Sequence, residues 1–128
     1  MILTFPWPPS ALRPNASSPG NWWNKSKAAA QYRYDCSILC RVAKLPKYDC
    51  EKLHLDIQFS PPDNRKRDLD GMLSSFKQGI DAISNVAGVD DSRFEFSIRK
   101  IEPVKGGQVI VEIKPSDWRA IKPVKVAA

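Results

Sequence analysis

Two aspartates beside a run of cations are the residues of this chain best suited to chemistry. Asp68 and Asp70 directly follow Arg65, Lys66 and Arg67. Residues two apart in an extended segment point the same way, so both carboxylates can reach one space. Carboxylates gathered at one point repel one another unless a cation lies among them. A hard oxygen-ligand set with open positions suits Mg²⁺, or Mn²⁺ in its place.

Further along the chain, two groups extend this constellation. Lys77 follows Asp70 by about two helical turns and lies off the apolar stripe. Asp90 and Asp91 precede a later strand, and suitable strand pairing can bring Asp91 back beside the first pair. With phosphate-binding cations nearby, this set predicts metal-assisted hydrolysis of a phosphodiester. The residues leave open a simpler alternative, an aspartate that caps a helix beside a solvated charged loop.

The surrounding sequence predicts the elements that position these side chains. Apolar and polar residues alternate over Lys52–Ser60, as in a strand with one buried side, and an apolar stripe of helical period follows from Leu69. Gly88 is expected to end that helix, and Gly106-Gly107 to form a hairpin turn between the last two strands. In chain order the prediction is a strand at Leu3–Phe5, a loop at Ser10–Asn21, a helix over Trp22–Lys44, a strand over Lys52–Ser60, a helix over Leu69–Ala87, a strand over Phe94–Ile101 and a strand over Val109–Lys114.

This order predicts an α+β fold, a two-layer arrangement in which a mixed β-sheet carries two main helices on one face. The 128 residues suffice for a single domain, residues 1–128, with a basic tail at 115–128. The net charge of +6 favours a polyanionic partner. No apolar run is long enough to cross a membrane and the first residues do not resemble a signal peptide, so we expect a cytoplasmic protein with no membrane partner and no small-molecule cofactor.

The cysteines allow a second metal hypothesis. Cys36 and Cys40, followed by Cys50 and His54, offer four zinc ligands on paper. The spacing misses the short Cys-x-x-Cys pairs of common zinc sites, and His54 should point away from the core on its strand. We therefore expect buried or half-buried thiols.

In combination, these motifs resemble the RusA family of Holliday junction resolvases. The resemblance rests on the stretch from Pro62 to Asp70, a lysine in the helix that follows, the Asp90-Asp91 pair, and the opening motif from Phe5 to Ser10. It spans roughly Leu3 to Glu112. The segment Pro9–Asn15 resembles the phage and prophage branch of the family.

The resemblance implies a homodimeric, Mg²⁺-dependent endodeoxyribonuclease that cuts four-way DNA junctions by paired symmetric nicks, in recombination and repair. A junction with two-fold symmetric cuts fits a dimer with one active site per strand. The family's functional positions fall here on metal-binding Asp68, Asp70 and Asp91, catalytic Lys77, and DNA-contacting Arg65, Lys66 and Arg67. The adjacent Asp90 is an open alternative to Asp91 as the ligand.

The chain departs from the family pattern at two points. Gly71 stands where the family usually has asparagine, so any hydrogen bond from that amide is absent. Counting back from Asp81 places Lys77 at the catalytic position, whereas counting forward from Asp70 places Ser74 there. Two other functions stay open: a non-catalytic protein that binds junctions, and a nuclease of looser preference that acts on flaps or other branched DNA.

Overall fold

The computed structural model describes residues 1–14 and 22–116. Part of the loop predicted at Ser10–Asn21 and most of the tail at 115–128 therefore lie outside the described residues. The helices and strands are β1 (Ile2–Pro6), α1 (Trp22–Val42), β2 (Lys52–Ser60), α2 (Leu69–Ser75), α3 (Lys77–Ala87), β3 (Phe94–Lys100) and β4 (Gln108–Ser116).

These strands form one mixed sheet in the order β1-β4-β2-β3. β4 pairs antiparallel with both β1 and β2, whereas β2 and β3 run parallel. The buried side of β2, with Leu53, Leu55, Ile57 and Phe59, packs into one core with side chains of the helices. On the opposite face, here called the open face, the described side chains are half-buried or exposed, as Ile2 at 65% exposure illustrates. The predicted α+β fold, a mixed sheet with helices on it, is confirmed.

The predicted hairpin between the last two strands is wrong. β2 lies between β3 and β4, so the chain from Ile101 to Gly107 crosses the end of β2 instead of turning back beside β3. Backbone hydrogen bonds hold this crossing, from Ile101 to the Phe59 carbonyl and from Val104 to the Pro61 carbonyl. Gly106 and Gly107 have φ values of 81° and 71°, so the glycines do form a turn, but one that delivers β4 to the centre of the sheet.

The predicted second helix is broken in two at Phe76. The ring of Phe76 is fully buried and packs at a tilt of 58° against Phe5, with ring centroids 5.5 Å apart. A Cβ on Gly79 would lie 2.3 Å from this ring, so the glycine is what allows the ring to lie against the helix. Gly88, with φ of 72°, ends α3 as predicted.

The cysteines belong to the core and its rim, as expected. Burial raises the pKa of Cys36 to about 12 and that of Cys40 to about 11. Cys50 donates its thiol to a backbone carbonyl, while His54 lies on the open face of the sheet. No cluster of three or more potential metal ligands occurs within residues 1–14 and 22–116, so the zinc hypothesis finds no support there. Over the same residues, no helix is long and apolar enough to span a membrane.

Candidate functional site

A cleft of about 610 Å³ opens at the end of the sheet where β2 finishes. One wall comes from the segment that follows β1 and the other from the segment between β2 and α2. These segments meet because Pro6, Gln108 and Ser60 are register partners at the same end of their strands. The charged side chains of its lining are Arg13, Asp63, Arg65, Lys66, Arg67 and Asp68. Cations outnumber acids in this lining, so the cleft suits an anion.

Asp63 organises the cationic run. Its carboxylate accepts a hydrogen bond from the backbone N–H of Arg65 at 3.0 Å and pairs with the Arg67 guanidinium at 2.9 Å. The Arg65 side chain lies 3.5 Å from the same carboxylate and is 77% exposed. The backbone hydrogen bond, and then the contact with Arg67, lower the pKa of Asp63. Asp63 is therefore a structural acid that shapes the loop.

The Arg67 side chain is folded against the protein. Its guanidinium carbon lies 5.7 Å from the centre of the Trp7 ring, and the side chain is 20% exposed. Trp7 in turn packs edge-on against Phe59, with ring centroids 6.2 Å apart. Of the three predicted DNA-contacting cations, Arg65 and Lys66 are thus exposed, whereas Arg67 joins the loop to the N-terminal wall.

Asp68 and Asp70 flank the start of α2 without capping it. Asp68 occupies the N-cap position, where an aspartate normally accepts a helix N–H, yet its side chain makes no capping hydrogen bond. Asp70 is exposed and accepts a hydrogen bond from the N–H of Gly71 at 2.9 Å. The simple capping alternative therefore does not account for Asp68. Asp68 lines the cationic cleft, and Asp70 lies two residues further along, in the first turn of α2.

Asp91 lies at the opposite end of the sheet. β3 runs parallel to β2, with Phe94 opposite Leu53, and Asp91 comes just before β3 begins. The length of β2, about 25 Å at roughly 3.3 Å per residue, separates this end from the Asp68 end. The prediction that strand–helix–strand order brings Asp91 back beside Asp68 and Asp70 is wrong within one chain, because it required β3 to approach β2 from the other direction.

Asp90 and Asp91 differ in their hydrogen bonds. Asp90 caps a short 3-10 turn at Asp91–Arg93, since its carboxylate accepts hydrogen bonds from the backbone N–H and the hydroxyl of Ser92. The hydroxyl, and then the N–H, lower the pKa of Asp90. Asp91 is exposed at the first position of that turn. Of the two, Asp91 is the one whose carboxylate has no hydrogen-bond partner within residues 1–14 and 22–116, so it can bind another group.

Lys77 begins α3 and is exposed. It lines a second cleft, of about 380 Å³, together with Ser74 and Lys25. The two clefts share Pro14 and Ser75 in their walls, so they adjoin. Both sequence positions considered for the catalytic lysine therefore face the neighbouring cleft and not the one lined by Asp68.

Sequence reasoning missed the N-terminal wall of the cleft. Trp7 and Arg13 line it, and the Arg13 guanidinium donates to the Ser10 carbonyl at 3.2 Å. Trp7 packs against Phe59 and Gly107; a Cβ on Gly107 would lie 2.9 Å from the Trp7 side chain. The signal for this wall was the opening motif itself, but its place beside Asp68 depends on strand order.

Two relatives clarify what kind of protein this is. No model of a known protein family matches the chain. A protein of Xylella fastidiosa described as uncharacterized is 37% identical over 117 residues, which cover 87% of this chain and 74% of the relative. The chain belongs to the same family as that protein. The crossover junction endodeoxyribonuclease RusA of Enterobacteria phage HK97 is 29% identical over 113 residues, covering 87% of this chain and 91% of the phage protein. The chain is thus distantly similar to the phage RusA protein.

Proposed function

We propose that this protein is a metal-dependent endodeoxyribonuclease that cuts Holliday junctions by paired nicks. The observation that carries the proposal is the pair Asp68 and Asp70 at a cationic cleft, with Asp68 unused by the helix it precedes. The RusA-like sequence supports the choice of a branched DNA substrate. The excess of positive charge in the cleft supports a phosphate backbone as its ligand.

The donor set fits a hard divalent cation. Asp68 and Asp70 supply carboxylate oxygens, the ligands that Mg²⁺ and Mn²⁺ prefer, and Asp91 is the third candidate. Bound there, Mg²⁺ supplies an activated water and stabilises charge on the leaving oxygen. The Arg65 and Lys66 side chains are exposed, so they can bind the phosphates on either side of the scissile bond.

The third carboxylate comes from a second copy of the chain in this proposal. Asp91 lies a sheet-length away from Asp68 and Asp70, so one chain alone cannot gather all three. In a two-fold dimer with the sheets antiparallel, the Asp68 end of each copy meets the Asp91 end of the other. Such a dimer has two identical sites, which matches the two symmetric cuts of junction resolution. Dimerisation then becomes a requirement for metal binding.

Lys77 has a supporting role in this arrangement. It lines the cleft adjoining that of Asp68, so we assign it to the DNA path, where it holds a phosphate near the cut strand. The alternative position, Ser74, lines the same cleft. Exchange of Lys77 for methionine should therefore weaken junction binding and cleavage together.

The proposal is tested by strand cleavage of a synthetic mobile four-way junction, with Mg²⁺ and with EDTA, beside a matched linear duplex. We expect paired, ligatable nicks on the junction alone, and in Mg²⁺ alone. Binding without cutting in either Mg²⁺ or Mn²⁺ would identify a non-catalytic junction-binding protein. Equal cutting of flaps would identify a nuclease of looser preference.

The composite site is tested by mixing two inactive variants, Asp70→Asn and Asp91→Asn. A mixed dimer of these variants has one site with all three native carboxylates if Asp91 is shared between copies. It has none if each chain builds its own site. After subunit exchange at equal amounts, half of the dimers are mixed, so nicking should recover to roughly a quarter of the native rate. Mixing Asp68→Asn with Asp70→Asn is the matched control and should recover nothing.

A further inference from the structure

The two edges of the sheet differ in their capacity to pair. β1 forms one edge with five residues and ends in Pro6, which has no N–H to donate. β3 forms the other edge with seven residues and no proline. A long, unpaired edge strand is a template for pairing with another chain. We propose that β3 pairs antiparallel with β3 of a second copy, in the register that sets Ser97 opposite Ser97, and so joins two sheets into one of eight strands.

The backbone fixes which residues can make this contact. The N–H of Ile101 donates to the Phe59 carbonyl at 2.8 Å, so it points toward β2. Backbone groups of alternate residues on a strand point to opposite sides, which turns those of Phe96 and Ile98 outward. Antiparallel pairing requires outward groups to face outward groups. That condition excludes every register in which an outward residue would lie opposite an inward one.

Charge selects among the registers that remain. With Ser97 at the two-fold axis, Glu95 of each copy lies opposite Arg99 of the other, and Phe96 lies opposite Ile98. A shift that sets Phe96 opposite itself brings Arg99 against Arg93, two like charges. A shift that sets Ile98 opposite itself brings Phe96 against Lys100. In the Ser97 register the two Glu95–Arg99 pairs and the two Phe96–Ile98 pairs lie at the centre of the interface, and the Phe94–Lys100 pairs lie at its ends, so this register avoids both the like charges and the central Phe96–Lys100 pair.

Two observations at β3 point to a missing neighbour. One carboxylate oxygen of Glu95 is buried without a hydrogen-bond partner among the described residues. Such a group is costly unless something pairs with it. Its own chain covers this oxygen, so the Glu95 side chain must turn outward to pair with Arg99 of the second copy, and that pairing removes the cost. On the other face, Phe96 is 41% exposed, although its ring contacts Phe94 at 6.2 Å between centroids. Ile98 of the second copy would cover it.

The pairing also has the direction that the proposed function requires, and in this respect the inference rests on it. Antiparallel strands set the beginning of one β3 beside the end of the other. The end of β3 adjoins the end of β2, since Lys100 is opposite Phe59, and this is the Asp68 end of the sheet. Asp91 of the second copy, which precedes its own Phe94, is thereby carried to that end.

Cysteine cross-linking tests the register directly. The backbone N–H and C=O of Ser97 point toward β2, so the two copies of Ser97 would form a non-hydrogen-bonded pair. The Cα atoms of such a pair are about 4.5 Å apart, within the range of a disulfide. Ser97→Cys should therefore give a disulfide-linked dimer under mild oxidation. Glu95→Cys should not, because four residues offset its two copies by about 13 Å. The native protein, whose Cys36 and Cys40 are buried, is the control for background cross-linking.

Charge reversal provides a second test that does not depend on the Ser97 hydroxyl, which contacts His54. Glu95→Arg alone and Arg99→Glu alone each place like charges opposite one another twice per dimer. Each should raise the dimer dissociation constant roughly tenfold or more in sedimentation experiments without metal or DNA. The double variant Glu95→Arg/Arg99→Glu should restore dimerisation. A dimer that ignores all three variants, or Ser97→Cys that stays unlinked, overturns the inference.

These readouts separate the inference from the proposed function. If the dimers cross-link and depend on the charges of β3 but do not cut junctions, the β3 interface is supported and the proposed nuclease activity is refuted. If the protein cuts junctions and its dimerisation is unaffected by charge reversal at β3, the nuclease activity is supported and the β3 interface is refuted.

Discussion

The segment between β2 and α2 and the segment between α3 and β3 lie at opposite ends of the sheet and are built alike. In each, one aspartate shapes the loop: Asp63 binds the cationic run, and Asp90 caps the 3-10 turn. In each, a neighbouring acid is left exposed without that task, Asp68 at one end and Asp91 at the other. Neighbouring acids that look equivalent in the sequence therefore differ in their local hydrogen bonds, and those bonds decide which carboxylate remains available.

The strongest challenge to this comparison comes from the first segment. Asp70→Asn removes a metal-ligand charge with little change in volume, so cleavage in Mg²⁺ should fall by about 10² to 10³ or more, as expected when several kcal/mol of charge stabilisation are lost. Junction binding should survive. Asp63→Asn, which alters loop shape alone, should lower cleavage by less than about tenfold. Equal losses for the two variants, measured as single-turnover rates, would mean that the loop acid and the exposed acid do not differ.

The second segment gives a sharper contrast because its two acids are adjacent. Asp91→Asn should reduce cleavage by about 10² or more for the same reason. Asp90→Asn should keep most of the activity, since asparagine caps a helical turn about as well as aspartate. Single-turnover rates, with circular dichroism to check folding, decide between them. The reverse pattern would make Asp90 the functional acid and require the turn to rearrange.

The smallest expected effect is on acid stability. Hydrogen bonds lower the pKa of Asp63 and of Asp90 in the folded state. Their stabilising contribution is therefore present above the unfolded pKa of about 4 and is lost as the pH falls through the lower folded values. Both groups are exposed, so the loss should be slight. The difference in melting temperature between pH 5 and pH 3 should be smaller in Asp63→Asn/Asp90→Asn than in the native protein.

The local elements of the fold could be predicted from the sequence, whereas the pairing of its strands could not. The alternation over Lys52–Ser60 and the stop at Gly88 reflect contacts between near neighbours, and both predictions are confirmed. The apolar stripe after Leu69 correctly predicted helical structure, but as one helix instead of two. The hairpin at Gly106-Gly107 was wrong because a turn does not specify which strand receives the chain. The break at Phe76 was missed since it depends on the distant Phe5 and Tyr32 rings.

The candidate site divides in the same way. Asp68 and Asp70 were found by type and spacing, and the structure places Asp68 in the cleft and Asp70 beside it. The location of Asp91 depends on the direction of β3, which no local pattern encodes. The hydrogen bonds that separate Asp90 from Asp91 were equally hidden, because both residues present the same carboxylate to a reader of the sequence.

The central position of β4 affects how the chain must fold as it is synthesised. β1 and β2 emerge from the ribosome with a gap between them, and the strand that fills the gap comes at residues 108–116. Until β4 is synthesised, β1 and β2 each have an edge whose backbone groups lack their partner strand, and the core lacks the apolar side chains of β4. Closing that gap brings Ile2 beside Glu112, a contact of very long sequence separation, which slows folding and prolongs the aggregation-prone stage. Overproduction should therefore benefit from slow translation or holding chaperones.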